Sequence, residues 1–312
     1  MSVRYLLLAL AVGCATSDPE VTGEVGDYEV TTQVATCPVG QWCIEVPVTA
    51  DPVPRLHAVW AVSASDVFAV GDSGTILRRV NGSWSPMTSG TTSDLRGVWA
   101  ASSSDVWAVG LGGTVLRFNG TAWSTIAGVT ASDVDAVWGS SATDVWLAGS
   151  GTVTHWNGTS FSSTGFGGIL LSISGTGPRD VWVTGENTYL HHFTGSWTTV
   201  NPGAGTSTFF AVLALSPTDV WATDFMPNKE TMHLSGNKWS AQKTSGAIFN
   251  GLSALAPSDI WGAGASRVGH WNGSAWTIGQ PVGTTAYLWS VAATAGHVWV
   301  VGDNGLIGHL AL

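Results

Sequence analysis

One short string returns seven times along the chain. Asp66-Val67-Phe68, Asp105-Val106-Trp107, Asp144-Val145-Trp146, Asp180-Val181-Trp182, Asp219-Val220-Trp221, Asp259-Ile260-Trp261 and His297-Val298-Trp299 follow one another at intervals of 39, 39, 36, 39, 40 and 38 residues. A period of this size is that of a four-stranded sheet unit stacked radially, a propeller blade. The second copy shows the unit most plainly. Leu95–Ala100 reads as a short apolar strand, Ser102-Ser103-Ser104 as a turn and Asp105–Gly110 as a second strand. Leu111-Gly112-Gly113 is another turn, Thr114–Phe118 a third strand, Asn119-Gly120 a hairpin turn, and a fourth strand opens at Trp123. Four strands and three turns fill the repeat and leave no room for a helix.

The hairpin turn recurs as Asn81-Gly82, Asn119-Gly120, Asn157-Gly158, Thr194-Gly195, Ser235-Gly236 and Asn272-Gly273. The Gly is constant because the turn needs a positive φ there. Four of the Asn stand in Asn-X-Ser/Thr contexts, but the turn accounts for them without glycosylation. The seventh repeat ends after its third strand, at Leu312. Its missing fourth strand is available upstream, where Gly40-Gln41-Trp42 matches Gly82-Ser83-Trp84. Residues 40–48 are therefore expected to close the ring. The seven aromatics that open fourth strands are then Trp84, Trp123, Phe161, Trp197, Trp239, Trp276 and Trp42. The predicted fold is all-β: a seven-bladed β-propeller over 40–312, with no open sheet edge inside the ring.

Composition agrees with this. Charged residues make up only 10%, against 40 Gly and 18 Trp. This suits tight turns around an aromatic core and excludes a disordered chain. The formal net charge is −10 with 11 Lys plus Arg, so no basic patch can be assembled and a nucleic-acid partner is not expected. Trp107, Trp146, Trp182, Trp221 and Trp261 are read as fillers between blades. The Asp before the second strand is read as a turn cap. Arg79, Arg117, His155, His192, His233, His270 and His309, counted back from the hairpin turn, are read as structural donors. They are too dispersed around the body to converge on one metal ion, and no metal site is expected.

The N-terminus carries an address. Arg4, an apolar run from Tyr5 to Val12 and small residues before Cys14 describe a signal peptide over 1–13, too short to span a bilayer. Ala11-Val12-Gly13-Cys14 resembles the bacterial lipobox, which implies lipidation of Cys14. Residues 14–39, with Asp18, Glu20, Glu24, Asp27 and Glu29, read as a flexible acidic tether. Cys37 and Cys43 remain as an even pair, which in an exported protein predicts a disulfide. The expected location is the outer membrane of a bacterium, on its periplasmic or outer side. The chain is expected to be monomeric and to touch the membrane only through its lipid.

The pattern Asp-Val-Trp-Ala-Val-Gly (105–110), Gly-Thr-Val-Leu (113–116), Asn-Gly (119–120) and Trp123 resembles the bacterial-neuraminidase-repeat-like propellers, including the photosystem II assembly-factor-like group. Such strings are similar to those of Trp-rich exported repeat lipoproteins of myxobacterial type. The resemblance covers about residues 40–312 and implies the fold, since propellers host many functions. The strict sialidase Asp-box is absent, and no Arg triad with a Tyr nucleophile is visible. No catalytic residue is assigned.

Comparing the repeats with one another separates fold positions from free ones. The second position of the first strand reads His57, Arg96, Asp135, Leu171, Phe210, Ser253 and Trp289. This diversity beside uniform neighbours marks candidate ligand contacts at the channel mouth. Asp72, Glu186, Asp224, Glu230 and Asp303, between second and third strands, are expected to make that face acidic, favouring a cationic ligand or a weak calcium site; no other cofactor is expected. The longest such connection, Asp224 to Thr231 with Met226, Pro227 and Lys229, is a candidate contact loop. The expected activity is binding or scaffolding for a protein or glycan. The alternative is a glycan-active enzyme or lectin on the same ring.

Overall fold

The computed structural model describes residues 22–25, 28–31, 38–45, 53–186, 190–203, 208–224, 230–281 and 284–312. The signal peptide, Cys14, Cys37 and the Met226, Pro227 and Lys229 segment lie outside the described residues, as does Tyr189. Within the stretch read as a tether, Thr22–Val25 and Tyr28–Thr31 pair as an antiparallel hairpin in a sheet of their own.

Seven four-stranded antiparallel sheets make up the ring. Six are built from consecutive strands, as in blade 2: Leu95–Ser102, Asp105–Gly110, Val115–Phe118 and Trp123–Thr125. The seventh joins Leu288–Thr294, His297–Gly302 and Ile307–Ala311 to Trp42–Glu45 from the N-terminal end. The register Trp42↔Leu310, Cys43↔His309, Ile44↔Gly308 and Glu45↔Ile307 confirms the closure read from Gly40-Gln41-Trp42. Alternation along the strands explains the packing, since every second side chain faces a neighbouring blade.

The second strands carry the core. Phe68, Trp107, Trp221 and Trp299 are fully buried, and Trp146, Trp182 and Trp261 nearly so. In blades 1 to 6 each ring meets an aromatic of the next blade's outer strands. Trp107 packs on Trp156 and Phe161, Trp146 on Phe193 and Trp197, and Trp221 on Trp271 and Trp276. Trp261 meets Trp42 edge-on at 6.2 Å, so the closing strand fills the same slot as its counterparts.

The Asp that opens the second strand is not the turn cap that the sequence reading expected. Its carboxylate holds an Arg or His of the third strand. Arg117 binds Asp105 with two bonds of 2.8 Å, and His155, His192, His233 and His270 reach Asp144, Asp180, Asp219 and Asp259 at 2.7 to 2.9 Å. Each of these side chains also lies on the aromatic of its own blade: His155 stacks on Trp146 at 3.8 Å and the Arg117 guanidinium sits 5.0 Å above Trp107. The turn itself is capped by hydroxyls, as where Ser102 Oγ accepts the Ser104 N–H. In blade 1 the member of this set is Arg78, which binds Asp66, and not Arg79. Strand pairing explains the shift, because Phe68 faces Arg78 as Trp107 faces Arg117.

Arg79 occupies the slot that Phe118 and Trp156 fill elsewhere, and it turns to the seam between blades 7 and 1. There the usual Asp is replaced by His297, and the acid comes from the closing strand. Glu45, 5% exposed, accepts from Arg79 at 3.1 and 3.2 Å, from Trp84 Nε1 at 2.5 Å, and pairs with His309 at 3.0 Å. Burial alone would raise the Glu45 pKa. The His309 hydrogen bond, the Arg79 and His309 charges and the Trp84 hydrogen bond outweigh it and hold the carboxyl below its ordinary 4.5. His309 in turn shares a 2.9 Å hydrogen bond with His297, whose pKa is lowered by burial and by the charges of His309 and Arg79.

The inner strands line a central channel and touch each other in two ways. Between blades 2, 3 and 4, a Trp lies on a Gly of the next strand: a Cβ on Gly139 would come within 2.7 Å of Trp99, and one on Gly175 within 2.7 Å of Trp138. Between blades 4 and 5, 6 and 7, and 7 and 1, serines bridge the gap. Ser172 and Ser174 accept the Val212 and Ala214 N–H groups at 3.1 Å, Ser253 accepts that of Ala293 at 2.9 Å, and Ser290 that of Val59 at 3.3 Å.

Two outcomes are expected. Trp221→Ala costs about 3–5 kcal/mol in denaturant unfolding. Glu45→Gln, which leaves Arg79 buried and uncompensated, costs about 3–5 kcal/mol at neutral pH. A carboxylate whose folded pKa is depressed stabilises above its unfolded pKa and ceases to as pH falls through the folded one. The gap between the wild type and Glu45→Gln therefore closes in acid, below pH 4.5. A gap independent of pH contradicts the ionised seam.

Candidate functional site at the channel mouth

The second position of the inner strands varies for a structural reason. In blades 1, 2, 4, 5 and 7 the pairing skips His57, Arg96, Leu171, Phe210 and Trp289, each a β-bulge residue. A bulge re-aims a side chain out of the regular pleat. In blade 3 the equivalent, Asp135, directly precedes the strand Ala136–Ser141. In blade 6 it is Asn250, directly before Gly251–Ala256. The sequence reading placed Ser253 here. Ser253 instead pairs with Trp261, in the register of Trp138 with Trp146, deeper in the channel. Asn250 was legible by another count: it stands nine residues before Asp259, as Asp135 does before Asp144 and Arg96 before Asp105.

His57, Arg96, Asp135, Leu171, Phe210, Asn250 and Trp289 all line one cavity of about 730 Å³ running along the inner strands. Around the rim the order is polar over blades 1 to 3, apolar over 4 and 5, amide at 6 and aromatic at 7. The connections between blades supply further residues that the repeat comparison missed: Arg55, Asp94, Asp133 and Tyr287.

Most of these groups hold one another. His57 Nε2 lies 2.6 Å from Asp72 Oδ1, and its ring meets Trp289 edge-on at 5.9 Å. Burial lowers the His57 pKa despite Asp72. Burial would raise that of Asp72, but the His57 hydrogen bond and the Arg55 N–H overcome it and lower it. The pair is therefore a neutral imidazole donating to a carboxylate at neutral pH. Trp289 Nε1 donates to Asp303 at 2.8 Å, and Arg55 lies 3.6 Å from the same carboxylate. Asn250 Nδ2 donates to the Leu288 carbonyl at 2.8 Å and its Oδ1 accepts from Tyr287 at 3.4 Å, tying blade 6 to blade 7. Asp94 accepts the Ser73 N–H at 2.9 Å and faces Arg96 at 3.7 Å; Asp133 accepts the Gly112 N–H at 2.7 Å.

Asp135 differs. Burial raises its pKa; Arg96 opposes this, while Asp133 and Glu186 add to it. Glu186 is thus close enough for its charge to act on Asp135. Asp224 is buried opposite Phe209 in the strand ladder, so it belongs to the wall of blade 5. For metal binding, His57, Asp72 and Asp94 bring ligand atoms within 4.8 Å of one another, as do Cys43, Glu45 and His309. Calcium takes oxygen ligands, and the mouth trio offers two carboxylates already engaged with His57 and backbone N–H groups. The seam trio has Arg79 bound to its acid, which disfavours a cation.

No protein-family model matches this chain, and no curated protein matches it. Solved structures do. The chain is similar to YCF48 bound to a D1 peptide, at 13% identity with a TM-score of 0.70, over 88% of this chain and 98% of that one. Virginiamycin B lyase from Staphylococcus aureus gives 14% identity and a TM-score of 0.76 over 87% and 99%. The WD40 β-propeller domain of Doa1 gives 14% identity and a TM-score of 0.70 over 82% and 92%. At these identities the likeness concerns the fold: the chain is a seven-bladed β-propeller.

The electrostatic assignment at the mouth is checked by NMR titration of the Asp135 carboxyl. It should titrate above its ordinary 3.8, higher still in Arg96→Gln and lower in Glu186→Gln. An ordinary value unmoved by either change contradicts it.

Proposed function

We propose that this propeller is a binding or scaffolding module whose ligand, a protein or a glycan, is held at the mouth of the central channel. One observation carries the reading: one position at the start of the inner strand, bulged in five blades and directly before the strand in the other two, carries a different residue in all seven and lines the same cavity every time. Residues that support the fold repeat around the ring; those that do not repeat are available for recognition. Among the three structures named above is one bound to a peptide, which favours a protein ligand. The module acts by binding rather than by turnover. The Cys14 anchor and acidic tether support display at the cell envelope, and a Cys37–Cys43 bridge would fasten the buried Cys43 on the closing strand.

The triple variant Arg96→Ala, Asp135→Ala, Trp289→Ala is the test. Wild type and variant are compared in pull-downs from envelope extract, on a glycan array and in a fluorogenic glycoside screen. The variant should lose what the wild type retains by at least about tenfold, with Tm unchanged. Equal retention by both moves the site elsewhere, and turnover by the wild type that one carboxylate change removes replaces the binding reading with an enzyme.

A further inference from the structure

We propose that the channel mouth receives the cationic side chain of a lysine or arginine in a peptide segment, with Asp135 as its counter-charge and Leu171 and Phe210 along its alkyl stem. This rests on the mouth being the binding site and adds the chemistry of what enters it.

Asp135 stands apart from the acids around it. Asp72, Asp94, Asp133 and Asp303 each accept a hydrogen bond from the protein. The Asp135 carboxylate has none among the described residues; only the charges of its neighbours act on it. A half-buried carboxylate left without a partner is unfavourable, and an arriving cation relieves that. The upward push on its pKa by burial, Asp133 and Glu186 reports the same excess of negative potential.

The balance of charge at the rim points the same way. Among the described residues, Asp72, Asp94, Asp133, Asp135, Glu186 and Asp303 face only Arg55 and Arg96, and His57 is neutral at physiological pH. A low-dielectric cleft focuses such a field. A bare metal ion would find only one unengaged carboxylate at Asp135, too few oxygens for calcium. A monovalent cation on a stem needs one acid and an apolar flank, and blades 4 and 5 provide Leu171 and Phe210 next in order around the ring. A cavity of about 730 Å³ exceeds what one side chain fills, so the adjoining peptide enters with it.

The experiment is fluorescence polarisation of the purified full chain with a hexapeptide library in which one position is fixed as Lys, Arg, citrulline, norleucine or Glu. Lys and Arg pools should bind at least about tenfold tighter than citrulline and norleucine pools, with Glu weakest. Asp135→Asn should erase that preference, Arg96→Gln should tighten basic peptides by removing a like charge, and added salt should weaken them. A preference for Glu, no preference, or no binding by any pool overturns the proposal, and the comparison within the wild type depends on no variant. If Trp289→Ala weakens binding while Asp135→Asn does not, the cation assignment fails and the mouth stands. If basic peptides bind and none of the three variants alters them, the proposed site fails as well.

Discussion

The ring is organised by one repeated contact: an acid at the start of the second strand, an Arg or His on the third strand, and an aromatic ring beneath that side chain. Each part constrains the others. The acid fixes the guanidinium or imidazole, which lies over the Trp or Phe, and the aromatic then presents its far side to the next blade. Arg78 with Asp66 and Phe68, Arg117 with Asp105 and Trp107, and His155 with Asp144 and Trp146 are three instances. A polar pair of this kind contributes little net stability by itself. It orients a large hydrophobic surface, and the burial of that surface stabilises the ring.

The seam shows what happens where the pattern cannot be completed locally. Blade 7 has His297 in place of the acid, and Glu45 arrives from the other end of the ring with its own set of partners. The closing strand therefore supplies a charge as well as backbone hydrogen bonds. It converts an open edge into a contact that spans two blades and joins Trp42–Glu45 to Arg79, Trp84 and His309.

Much of this was legible in the sequence. The number of blades, the strand order and the role of Trp42 follow from counting repeats, because each blade must present the same aromatics at the same places. Cross-strand pairing was harder to read. Arg79 was chosen over Arg78 because the hairpin turn served as the ruler, and in blade 1 the third strand carries one more paired residue, Val80, before that turn. The partner of the repeated Asp was missed because the separation to the cation changes with the intervening turn, from 11 residues in blades 3 and 6 to 14 in blade 5. At the mouth, the diversity of the bulged position was visible, but the bulge that produces it was not. Arg55, Asp94, Asp133 and Tyr287 sit in connections whose lengths vary between repeats, so no alignment of the copies marks them.

The geometry of the seam also sets an order of events in folding. Most acid–cation pairs join residues close in sequence, such as Asp105 and Arg117, 12 apart, whereas Glu45 and His309 are 264 apart. Closing the longer loop costs roughly 3 kcal/mol more in chain entropy. Individual blades can assemble as they emerge, but Glu45 has no complete set of partners until His309 has been synthesised. Until then the groove between the last blade and the first lacks its closing strand.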